Sequence, residues 1–178
     1  MEFRTEREAA LYQMLKQVLR NYIVTQRIAY HQTLSAWVPV LGFQLGMMID
    51  TRDDIPALLA RTIAALHAEQ RTRTDQPLPS FADYGVTPEE TPAQELGTAL
   101  VTLLRDSSVE HYLAVAATWR ACIALFADVL AMPRLDAAAQ AWDIDRYIDA
   151  LHAQLPEQID YWFARLTQGE ASGQEDAP

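Results

Sequence analysis

Apolar residues recur at intervals of three and four along most of this 178-residue chain, a period that suits helices and does not suit strands. Leu11, Leu15, Val18 and Tyr22, flanked by Met14, Leu19 and Ile23, open the pattern, which continues towards Ala29 and Tyr30. It predicts a long amphipathic first helix over about 5–31. The one strand-like stretch, 37–43, contains Pro39 and has no partner run elsewhere, and a lone strand leaves its backbone groups unpaired. An all-α fold follows.

Local signals divide the rest of the chain. Pro39, Gly42 and Gly46 interrupt the apolar run over 34–49, which reads as a buried turn or short helix; the Gly42-x-x-x-Gly46 spacing allows tight helix packing. Asp53 and Asp54 before Ile55-Pro56 mark a helix start, and Leu58, Leu59, Thr62, Ile63 and Leu66 carry that helix to about 69. Residues of about 70–90, rich in proline and turn formers, form the one long irregular loop. Thr91-Pro92-Ala93-Gln94 opens a third helix, in preference to the similar Thr87-Pro88-Glu89-Glu90, which would leave Pro92 inside. Ser107-Ser108-Val109-Glu110 reads as the capping box of a fourth helix, whose stripe runs through Trp119, Ile123, Phe126 and Leu130 to Met132-Pro133. A fifth begins near Trp142-Asp143 and runs past Ile159 to Leu166, with Pro156 expected to kink or split it. The expectation is one domain over 1–168, a bundle of about five main helices, with a disordered acidic tail over 169–178.

Cys122 is the only cysteine, so no intramolecular disulfide can form and a reducing, cytoplasmic setting is expected. The first residues lack the apolar core of a secretory signal, and 34–49 is short of the roughly 20 apolar residues that cross a bilayer. Heavy use of Ala and Arg beside a single lysine, Lys16, points to a GC-rich bacterial genome.

The net charge of -10 is unevenly spread. Up to Arg73 nine bases face seven acids; beyond it five bases face seventeen. Such acidity repels a phosphate backbone and argues against nucleic-acid binding.

Site chemistry is sparse. The histidines His31, His67, His111 and His152 include no Glu-x-x-His pair of the kind that builds two-metal sites in bundles, and Asp149-x-x-His152 reads as a solvated pair. Neither a metal nor another cofactor is expected. Asp50-Thr51-Arg52-Asp53-Asp54 resembles, in composition alone, the aspartate clusters that hold magnesium-diphosphate in helical prenyl-chain enzymes; no second such motif accompanies it, and helix capping accounts for the same residues. Cys122 sits mid-helix as a packing thiol, no serine lies in a nucleophile motif, and the six glycines form no phosphate loop. Trp119, Trp142 and Trp162 fall on core stripes, whereas Trp37, in the irregular stretch, has a half-exposed position open to it.

The leading expectation is therefore a non-catalytic interaction module, an accessory subunit, adaptor or neutralising partner of a more basic protein. Asp143, Asp145, Asp149 and Asp160 would present its negative strip. The alternative is a small helical enzyme or ligand-binding protein with a pocket lined by Tyr30, His31 and Trp37. A homodimer closed through helix faces is a further expectation.

Overall fold

The computed structural model describes residues 3–25, 28, 30–72, 90–109, 114–131 and 144–168. Among them are six α-helices, α1 (Glu6–Thr25), α2 (Tyr30–Gly46), α3 (Ile55–Thr72), α4 (Glu90–Val109), α5 (Val115–Ala131) and α6 (Ile144–Thr167), a 3-10 turn at Arg52–Asp54 ahead of α3, and no strand. The chain is a helical bundle. No helix among the described residues is long and apolar enough to cross a membrane.

α1 starts on a reciprocal cap. The Thr5 hydroxyl oxygen accepts from the Glu8 N–H at 3.2 Å, and the Glu8 carboxylate accepts from the Thr5 N–H at 3.2 Å. Leu11, Leu15, Leu19 and Ile23 then face the core. The helix ends at Thr25 rather than continuing to 31. Ile28 drops into the core at 1% exposure and donates its N–H to the Tyr22 carbonyl (3.4 Å), which turns the chain into a separate helix, α2.

That second helix occupies the stretch whose proline and glycines suggested a turn. Both glycines are packing devices. A Cβ on Gly42 would lie 2.7 Å from Cβ of Gln158, and one on Gly46 would lie 3.0 Å from Cβ of Trp162, so α2 and α6 approach closely along both and run in the same direction. Leu34, Trp37, Leu41 and Phe43 are buried around α2 on several sides. A helix enclosed in this way shows no amphipathic period, which explains why its sequence does not read as a surface helix.

Two further expectations are corrected. Ser107, Ser108 and Val109 are the last residues of α4 and do not open the next helix; Ser107 is fully buried, and α5 begins only at Val115. α6 runs through Pro156 as one helix, so the split that Pro156 allowed does not occur. The described residues thus form six helices, in keeping with the expected bundle of about five main ones, the sixth arising because the first helix is cut short and α2 is added. The loop of about 70–90 and the tail of 169–178 lie almost wholly, and wholly, outside the described residues.

The helices close a ring in which α1 adjoins α4, α4 adjoins α2, α2 adjoins α6, α6 adjoins α3, α3 adjoins α5 and α5 returns to α1. α2 and α5 also meet across the ring, where Trp37 stacks on Phe126 with centroids 4.7 Å apart. α5 is buried from Ala121 through Ala131 without a break, as an apolar helix surrounded by others should be.

Candidate functional site

A polar seam joins α1 to α5. Glu8 is fully buried; one carboxylate oxygen accepts from the Arg120 guanidinium and the other from the backbone N–H groups of Arg4 and Thr5. Further along, the Tyr12 hydroxyl donates to Asp128, and Lys16 Nζ donates to the Tyr12 hydroxyl at 3.2 Å while lying 3.9 Å from the Asp128 carboxylate. Glu8 pairs with Arg120, and Tyr12 with Asp128, so α1 and α5 run in the same direction. Burial by itself raises the Glu8 pKa, but the Arg4 amide, the Arg120 guanidinium and the Thr5 amide together outweigh it and leave the group below the ordinary glutamate value. A carboxylate occupied on both oxygens and closed to solvent suits a fastener between helices, not a general base that must reach a substrate proton.

The second constellation is exposed and lies towards the C-terminal end of α6. Arg52, in the 3-10 turn, forms an ion pair with Asp160, and its guanidinium lies 6.0 Å from the Phe163 ring centroid. Arg165 lies 5.6 Å from the ring centroid of Tyr161 and 5.8 Å from that of Trp162, and its Nη1 donates to the Tyr161 hydroxyl at 2.7 Å. Tyr161 is 48% exposed. Trp162 packs edge-on against the buried Phe43, which anchors the cluster to the core.

The residues singled out from sequence fare differently. Trp37 is fully buried between α2 and α5, so the half-exposed position is corrected; its ring is core. Tyr30 and His31 open α2, but their side chains lie outside the described part of the structure. Asp143 lies outside the described residues. Asp145 and Asp149 belong to α6, with only their backbone described, and Asp160 carries the ion pair above. Because α6 is unbroken, Asp149 comes about one turn after Asp145 and Asp160 about three turns after Asp149, which sets the three positions on one side of the helix. In the Asp50–Asp54 cluster, Asp54 accepts from the Thr51 N–H (3.0 Å), the Asp50 N–H (3.3 Å) and the Thr51 hydroxyl (3.2 Å). The Thr51 amide and hydroxyl lower its pKa beyond what desolvation adds back, the role of a capping carboxylate. Cys122 is buried, and burial pushes its thiol pKa far up. No group of three His, Cys, Asp or Glu side chains that could hold a metal occurs among the described residues.

Sequence reasoning missed the α1–α5 seam and the pairing of Arg52. Thr5-x-x-Glu8 carries the capping signature and was open to being read, but Arg120 is 112 positions from Glu8, and no local pattern announces a partner at that distance. No protein-family model, curated protein or solved structure matches this chain.

Proposed function

We propose that the chain is a non-catalytic interaction module, an accessory subunit, adaptor or neutralising partner of a more basic protein. The observation that carries the reading is the alignment of Asp145, Asp149 and Asp160 along one side of an uninterrupted α6, with Asp143 just ahead of it, in the half of the chain that holds the acidic excess. A row of carboxylates on a rigid rod steers a cationic surface into register during encounter, and its influence on the association rate is strongest at low ionic strength. The helix then presents Tyr161, Trp162 and Arg165, residue types enriched in the energetic centres of protein interfaces. The buried charges, by contrast, are engaged in holding α1 to α5. A reducing cytoplasm, expected from the single cysteine, is part of the same proposal.

The test is capture of partners by the tagged chain at low and high salt, beside a variant carrying Asp143→Asn, Asp145→Asn, Asp149→Asn and Asp160→Asn. One stoichiometric basic protein, released at high salt and associating about tenfold more slowly with the variant, is the expected result. Capture that ignores both salt and the four substitutions would remove the acidic strip as the binding surface.

A further inference from the structure

We infer that the Asp160 carboxylate and the neighbouring Phe163 ring form a guanidinium site, occupied by Arg52 in the free chain and taken over by an arginine of the basic partner on binding. The inference rests on the function proposed above and specifies what the partner must present. Arg52 shows the fit directly: it pairs with Asp160 while its guanidinium lies over Phe163. Arg165 repeats half of that arrangement beside it, over Tyr161 and Trp162, so the same stretch of α6 gathers two guanidinium groups against its rings.

Arginine suits this surface better than lysine for a physical reason. Its planar, weakly hydrated head stacks on a ring and bonds a carboxylate at the same time, whereas an ammonium is compact and strongly hydrated. The Arg52 and Asp160 side chains are 62% and 46% exposed, so their contact is screened by water and open to exchange. Asp160 is also the last of the aligned aspartates, so a cationic segment lying along α6 ends at the site Arg52 fills. Arg52 thus acts as an internal competitor that weak lysine contacts do not displace and a well-seated arginine does.

The experiment titrates the full chain at low salt with an oligo-arginine peptide and an oligo-lysine peptide of equal length, comparing wild type, Arg52→Ala, Arg61→Ala, and Arg52→Ala with Asp160→Asn. Arg61→Ala removes the same charge from an exposed α3 position whose guanidinium lies over Trp119 instead. Arg52→Ala is expected to tighten oligo-arginine binding about three- to tenfold, with little gain for oligo-lysine, and the gain should vanish when Asp160 is also replaced. If Arg52→Ala leaves affinity unchanged, or tightens both peptides as much as Arg61→Ala does, Arg52 is no competitor, while the acidic-strip reading stands. If neither peptide binds wild type or Arg52→Ala, the proposed function fails and takes the inference with it.

Discussion

Glu8 is where single-residue energetics are most exposed to test, because it performs two separable tasks. Its carboxylate caps α1 through the Thr5 and Arg4 amides and also pairs with Arg120, whose side chain is 17% exposed. Glu8→Gln keeps a capping side chain but leaves the guanidinium without its charge partner, an expected loss of about 2–4 kcal/mol. Thr5→Ala removes the hydroxyl half of the cap and should cost about 1 kcal/mol. Urea unfolding of the two variants and their combination separates the tasks; equal losses would mean that the cap, not the pair, dominates. The pH dependence has a definite sign. A folded-state pKa below the unfolded value of about 4.3 makes the contribution of Glu8 complete above that pH and removes it as pH falls through the folded value. The stability gap between wild type and Glu8→Gln should therefore narrow on acidification below about pH 4 and stay constant from neutrality down to about pH 5.5.

Helices, rather than residues, decide how closely the bundle packs, and the glycines at the two contacts of α2, Gly42 on α2 itself and Gly97 on α4, show this. Gly42 and Gly97 are both helical and both face a neighbouring helix, yet the space beside them differs. Gly42→Ala drives a Cβ into Gln158 at 2.7 Å and should destabilise by about 1–3 kcal/mol, despite the better helix propensity of alanine. At Gly97 the nearest atoms stand at 3.4 Å, so Gly97→Ala should be neutral or stabilise by up to about 1 kcal/mol. Thermal unfolding of the two variants checks the contrast, and similar shifts would show that α2 and α6 are free to separate. The elements also show how far sequence carries. α3 was legible because aspartates and Pro56 mark its start and one stripe of leucines its face. α2 was not, because residues buried on several sides obey no single period, and Ser107 misled because a hydroxyl followed by Glu110 has the capping signature even at the end of a preceding helix.

At the scale of the molecule, α5 is packed against α1, α2, α3 and α4, so that Cys122 has no solvent contact and a thiol pKa pushed far up. In the native protein at pH 8 it should resist a thiol reagent, reacting only at the rate of unfolding and speeding up with urea; prompt labelling without denaturant would mean that the bundle opens locally. The sequence by itself determined the helical class, the position and start of α3, the core stripe of α6 and the acidity of the second half, since each depends on periods, caps or charges counted within one segment. Tertiary structure alone decided that α2 is a central helix, that Glu8 meets Arg120, that Trp37 is core and that Arg52 sits on Asp160. These depend on which helix lies beside which, and that choice is made by burial and shape across the whole chain, over separations at which local periodicity carries no information.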